Sequence, residues 1–143
     1  MPHDEGMNAA GPSLPRAGTL AEFGGEVLEM ANGVARVRYH IEPRFHNPRG
    51  TLQGGMYAVF LDDAMGCALL SLTGPSGRFA TTDLVVHYLR PVSAGPVVAE
   101  AWVLRQGRGT AYLEGEVRDA GSRTCARASS TVVVLPAEDT ATS

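Results

Sequence analysis

The chain contains no lysine. All twelve of its basic residues are arginine, which excludes Schiff-base and lysine-nucleophile chemistry and leaves bidentate contacts to carboxylates or phosphates available. Two cysteines in 143 residues make no disulfide framework. Cys67, in an apolar run, and Cys125, in a strand-like run, read as buried small hydrophobes of a protein in a reducing cytoplasm. Neither charge sign dominates: a net charge of -3 gives no footprint for nucleic acid and no general attraction to an anionic membrane. The N-terminal "MPHDEGMNAAGPSLPRAG" lacks the basic start and apolar run of a signal peptide. One run, Met56 to Leu72, approaches membrane-spanning length, but its two central carboxylates favour a helix buried in protein. His46 and His87 are not at metal-ligand spacing with any Cys or Asp pair, so no metal is expected. The chain has no nucleophile elbow, Walker A loop or dinucleotide fingerprint, and no cofactor is expected.

What is present fits one domain with a real core. A flexible arm is expected over 1–18, the domain over 19–136, and a flexible tail over 137–143. A short helical turn around Leu20 to Phe23 precedes two strand-like runs separated by Asn32-Gly33, a strong hairpin signal. After Pro43, "RFHNPRGTLQGG" is a loop by composition. A helix then runs from about Gly54 to Leu72, apolar all round except at Asp62 and Asp63, so other structure should wrap it. Four extended runs follow, Phe79 to Leu89, Val97 to Arg105, Ala111 to Val117 and Thr124 to Leu135, with turn-like separators, and three runs of alternating polarity joined this way suggest an antiparallel meander. The order predicts an α+β fold in which a strongly curved antiparallel sheet wraps one long central helix.

Gly54 and Gly55 fall where that helix begins. An unpaired backbone N–H there, with the positive end of the helix dipole behind it, stabilises an oxyanion, and glycine lets a carbonyl approach closely. Asp62 lies eight residues after Gly54, about 12 Å along the helix axis. One chain therefore cannot bring both groups to one carbonyl, whereas a twofold dimer with antiparallel helices side by side can. An aspartate in such a site suits a general base or a nucleophile towards an acyl carbon; the alternative is a carboxylate tied to an arginine or a neighbouring chain end. Asp63 points about 100° away. Arg49, Arg78, Arg90 and Arg108 lie near loops or strand ends, where they could meet phosphates or simply remain solvated.

Over roughly Leu20 to Leu135 the sequence resembles the hotdog-fold acyl-CoA thioesterases of the PaaI-like group associated with phenylacetic acid degradation. The resemblance centres on Asn47, Gly50, Gly54-Gly55, Leu61-Asp62 and Ala64, which follow that family's N-x-x-G-x-x-H-G-G-x-x-x-x-x-x-D spacing, and on "DLVVHYLRP" from Asp83 to Pro91. It implies that the Gly54 N–H polarises a thioester carbonyl while Asp62 of the partner subunit supplies the base or nucleophile. Asn47 would orient substrate or water, and Thr81, with Thr82 as the alternative, would assist the water or the aspartate. Gln53 replaces the family's usual histidine; it can hydrogen-bond the thioester or the departing thiolate but cannot take up a proton.

The leading expectation is a cytoplasmic hydrolase that splits an acyl-CoA into free acid and CoA at dimer interfaces, with two dimers joined as a homotetramer. Gly55, Tyr57, Val59, Phe60 and Leu61 are candidate walls for the substrate, and Arg90 a candidate phosphate contact. The rivals are a non-catalytic acyl-CoA-binding protein and an enoyl-thioester hydratase or dehydratase.

Overall fold

A computed structural model describes residues 18–136. The expected tail, and the expected arm except for Gly18, lie outside the described residues. A short helix α1 (Thr19–Glu22) leads into strands β1 (Glu26–Ala31) and β2 (Val34–His40). A 3-10 turn (Pro43–Phe45) and a loop precede the long helix α2 (Gly54–Thr73). Strands β3 (Arg78–Tyr88), β4 (Pro96–Gln106), β5 (Thr110–Arg118) and β6 (Thr124–Leu135) complete the chain.

Between β1 and β2, Asn32 and Gly33 both have positive φ, 54° and 78°. Two successive positive φ values twist the turn in the sense of the flanking strands, which is why Asn-Gly closes tight hairpins. The sheet is antiparallel throughout, in the order β1-β2-β4-β5-β6-β3. Strands β4 to β6 form the expected meander. The chain crosses from β3 to β4 before that meander begins, so β3 pairs with β6 and lies at an edge of the sheet.

One cross-strand row explains how the helix fits. Ala35 pairs with Ala101, Ala101 with Gly115, and Gly115 with Ala128, so the smallest side chains line up across four strands. All face inward and are buried. Over this trough lie Leu61 and Met65 of α2: a Cβ on Gly115 would stand 3.2 Å from Leu61 Cδ2, 3.3 Å from Met65 Cε and 2.8 Å from the Glu100 carbonyl oxygen. Phe60 closes one side of the packing by stacking on Tyr39, with centroids 4.0 Å apart and planes at 13°.

The sheet does not enclose the helix. Tyr57, Phe60, Leu61, Ala64, Met65, Cys67, Ala68 and Leu69 are buried, but Met56, Val59, Gly66 and Leu70 are only half-buried and Asp62 is exposed. The apolar sequence of α2 on all sides thus exceeds what the described residues cover. The apolar span of Gly54–Thr73 is long enough to cross a membrane, yet its packed face makes it the core helix of this domain.

Gly115→Ala should lower stability by about 1–3 kcal/mol, because the added methyl meets backbone and two core side chains with no room to yield. The urea midpoint should fall at unchanged slope; an unaltered midpoint would contradict the packing described.

Candidate active site

The N-terminal end of α2 is built without a side-chain cap. Gln53 occupies the cap position in extended conformation, its N–H donating to the Phe45 carbonyl at 2.8 Å and its carbonyl accepting the Met56 N–H at 2.9 Å. Its side chain is exposed. The N–H groups of Gly54 and Gly55 find no acceptor among the described residues. These two donors, with the dipole of a 20-residue helix behind them, are directed at incoming negative charge.

They border a groove of 440 Å³ whose lining includes Asn47, Gly54, Gly55, Tyr57, Tyr88 and Arg90. Asn47 fixes the preceding loop: its Oδ1 accepts the N–H of Arg49 at 2.9 Å and of Thr51 at 3.2 Å, while its Nδ2 donates to Thr51 Oγ1 at 2.9 Å. Its bonding is thus largely committed to shaping the groove wall. Tyr57 is buried, its hydroxyl reaching the Arg90 carbonyl at 3.4 Å. Burial pushes that phenol up to about 12, so it stays a neutral donor. Arg90 is anchored through its backbone N–H to the Cys125 carbonyl, leaving an exposed guanidinium at the groove.

Asp62 lines a different groove, of 370 Å³, together with Thr81, Thr19, Leu20, Leu70 and Phe79. A bulge in β3 at Thr82 changes the register against β6. It leaves Thr81 on the helix side, where its hydroxyl donates to Asp62 Oδ1 at 3.1 Å, while Thr82 bonds the Thr131 carbonyl. The threonine next to the aspartate is therefore Thr81. Among the described residues, no arginine holds Asp62. The two grooves share no lining residue, so Gly54 and Asp62 open onto separate surfaces of one helix.

Three expected wall residues lie elsewhere: Val59 is half-buried on the helix flank and lines neither groove. Phe60 and Leu61 are fully buried between helix and sheet and line neither groove, because Phe60 is held on Tyr39 and Leu61 over Gly115. Of the other arginines singled out, Arg78 donates to the Pro136 carbonyl at 3.2 Å, and neither it nor Arg49 nor Arg108 lines the groove. His46 is occupied with the Ser93 carbonyl at 2.8 Å.

Residues 49–126, more than half the chain, match the model of the Thioesterase superfamily. The chain belongs to that superfamily. A conserved protein from Pseudomonas aeruginosa has a solved structure similar to this chain, with a TM-score of 0.79 at 29% identity, covering 83% of this chain and 94% of the other. A mutant of the phenylacetic acid degradation protein PaaI from Thermus thermophilus is similar at a TM-score of 0.74 and 28% identity, over 81% and 97% of the two chains. An esterase candidate from Saccharolobus solfataricus is 29% identical over 103 residues, 72% of this chain and 73% of the relative. The resemblance to the PaaI-like hotdog thioesterases therefore holds, as does the α+β fold it implied.

Within this superfamily member, the two adjacent aspartates differ. Asp63 turns inward and accepts hydrogen bonds from Tyr39 Oη at 2.8 Å and Thr19 Oγ1 at 2.6 Å, tying α1 to α2. Burial raises its pKa above the ordinary value, overriding the two hydrogen bonds that favour the carboxylate. Tyr39 is raised as well, by burial and then by the neighbouring Asp63 charge. Cys67, close by, is pushed up to about 11 by burial first and Asp63 second, which keeps it a thiol. The sequence offered no pointer to Thr19 or Tyr39 as partners of Asp63; their positions depend on the sheet.

A carboxyl whose folded pKa is raised binds more protons folded than unfolded, so its contribution to stability declines as pH rises from about 3.8, the ordinary value, through the folded value. Asp63→Asn removes that titration while keeping an acceptor for Tyr39. The variant should gain stability relative to the parent between acidic and neutral pH, read as urea midpoints; a difference independent of pH would contradict the burial of this charge.

Proposed function

We propose that this protein hydrolyses an acyl-CoA thioester to the free acid and CoA, at sites each shared by two copies of the chain. The observation that carries the reading is the separation of donors and carboxylate into two grooves along one helix. Half-sites that no single chain can bring together become complete when two helices lie antiparallel around a twofold axis. The groove bearing Gly54 on one copy then meets Asp62 of the partner subunit, and the pairing recurs on the other side.

Edge strand β3 supports such an assembly. It is eleven residues long, its outer backbone edge is unpaired in the sheet order, and Val85 and Tyr88 along it are about half exposed. Long apolar edges of this kind are rarely left open. The half-buried flank of α2, with Met56, Val59 and Leu70, gains cover in the same arrangement. A tetramer of two such dimers would also use the exposed Leu104 and Tyr112. Two free, buried cysteines suit the reducing cytoplasm where CoA thioesters are handled.

In the reaction, the thioester carbonyl oxygen accepts the Gly54 N–H, which stabilises negative charge as the acyl carbon becomes tetrahedral. Asp62 of the partner subunit, steadied by the Thr81 hydroxyl, either takes the proton of the attacking water or attacks the carbon itself. The carbon–sulfur bond then breaks, and the sulfur leaves with the bonding pair as CoA thiolate; where Asp62 has attacked, water then cleaves the acyl–aspartyl anhydride, freeing the acid and restoring the carboxylate. Gln53 stands beside the donors as a hydrogen-bonding group for the thioester or thiolate. Arg90 faces outward to meet a CoA phosphate.

Asp62→Asn should reduce thiol release from acyl-CoA by about 10²–10⁴-fold with the oligomer intact. Gly54→Pro removes the Gly54 N–H and crowds the Tyr88 hydroxyl, which a Cβ there would meet at 3.2 Å. Proline is accepted at the first helical position, and Gln53, at φ -63° and ψ 137°, already has the conformation a pre-proline residue prefers. Its turnover should fall by about 10²–10³-fold. Mixing the two inactive variants and allowing subunits to exchange should restore roughly a quarter of parental activity, since half the dimers then hold one intact site. Full activity in Asp62→Asn would overturn the assignment, and failure of the mixture to recover would overturn the shared site. Tight acyl-CoA binding by the parent without thiol release would instead favour the non-catalytic binding protein, for which the replacement of histidine by Gln53 speaks.

A further inference from the structure

Tyr88 is a residue that neither the spacing of the motif nor the proposed reaction uses. It is the last residue of β3 and is 55% exposed, yet its hydroxyl is committed: it donates to the Gly54 carbonyl oxygen at 2.8 Å. Its ring stands edge-on to Tyr57, with centroids 5.3 Å apart and planes at 78°. A Cβ on Gly54 would come within 3.2 Å of the hydroxyl oxygen and 3.3 Å of Cζ. The tyrosine is therefore seated directly on the first turn of α2, in the wall of the groove that Gly54 and Gly55 border.

Two physical consequences follow from where that bond lands. A Gly-Gly helix start with no side-chain cap has the greatest backbone freedom a helix end can have. An electrostatic site needs its donors fixed before the charge develops. The Tyr88 bond, made from the end of a sheet strand, restrains that turn. The Gly54 carbonyl and the Gly55 N–H are also the two ends of a single planar peptide group. A hydrogen bond accepted by the oxygen polarises the amide and strengthens its N–H as a donor. That N–H has no acceptor among the described residues, and Gly55 lines the groove with open space where a side chain would stand.

Resting on the thioesterase reading above, we propose that Tyr88 is a positioning residue that orients and polarises the Gly54–Gly55 peptide, so that the Gly55 N–H joins the Gly54 N–H in holding the thioester carbonyl oxygen. The hydroxyl acts on turnover through the peptide, and the ring acts on binding as a wall. These are separable contributions.

Tyr88→Phe keeps the ring and its contact with Tyr57 and deletes only the hydroxyl. Thiol release over a panel of acyl-CoA substrates should show kcat lowered by about tenfold, the loss of one indirect contribution to a donor pair, with KM within about twofold of the parent. Tyr88→Ala should show the same loss in kcat and, in addition, a raised KM because the wall is gone. Oligomer size and thermal midpoint of Tyr88→Phe should match the parent, since an exposed phenol carries little of the fold. A parental kcat in Tyr88→Phe, a loss confined to KM, or a loss accompanied by dissociation of the oligomer overturns this inference while Asp62-dependent hydrolysis by the parent leaves the thioesterase reading standing. A parent that releases no thiol from any acyl-CoA overturns both.

Discussion

The close approach of α2 to the sheet, permitted by the row Ala35, Ala101, Gly115 and Ala128, governs the rest of the architecture. With larger residues in that row the helix would ride higher, and the stack of Phe60 on Tyr39 would open. Because the helix sits low, its axis and its rotation are both set. Rotation decides everything polar about it: Asp63 faces Tyr39 and Thr19, Asp62 faces Thr81, and the glycine pair emerges beside Tyr88. Dense packing of this kind transmits position, because interiors with few voids have little freedom to adjust.

Along that fixed helix the polar groups have distinct environments. The start offers two N–H donors with no acceptor among the described residues. Two turns later a carboxylate stands exposed with one hydroxyl for company, and the next residue is a carboxylate drawn into the interior. Adjacent aspartates about 100° apart thus divide into one that holds the short N-terminal helix in place and one left accessible for chemistry. The aspartate with the raised pKa is the structural one. Its shift comes from burial.

Much of the fold was legible in the chain because it depends on local patterns. Asn32-Gly33 specifies a tight hairpin whatever surrounds it, the apolar run after Gly54 with its two central carboxylates favours a core helix, and alternation with turn residues delineates β4 to β6. The proposed site rests on residue types and spacing that the sequence displays: a glycine pair, then an aspartate too distant to serve the same carbonyl. What the pattern did not convey was orientation. Phe60 and Leu61 look like any other apolar residues of that helix, and only their neighbours Tyr39 and Gly115 show that they belong to the core. Asn47 carries the right amide for substrate, but its bonds to Arg49 and Thr51 arise from a loop conformation that composition does not encode. The choice between Thr81 and Thr82 turned on a bulge, a one-residue offset that reverses which side chain faces the helix.

By itself the sequence determined the order of elements, the long helix with its uncapped glycine start, and the eight-residue interval that sets Gly54 and Asp62 apart, because periodicity and helical rise are properties of the local chain. The tertiary structure alone decided which aspartate is accessible, which threonine attends it, and that Tyr88, thirty-four residues from Gly54, closes on the helix end. Those pairings join segments remote in sequence, and their geometry exists only after β3 has crossed to the far edge of the sheet and the helix has settled over its row of small residues.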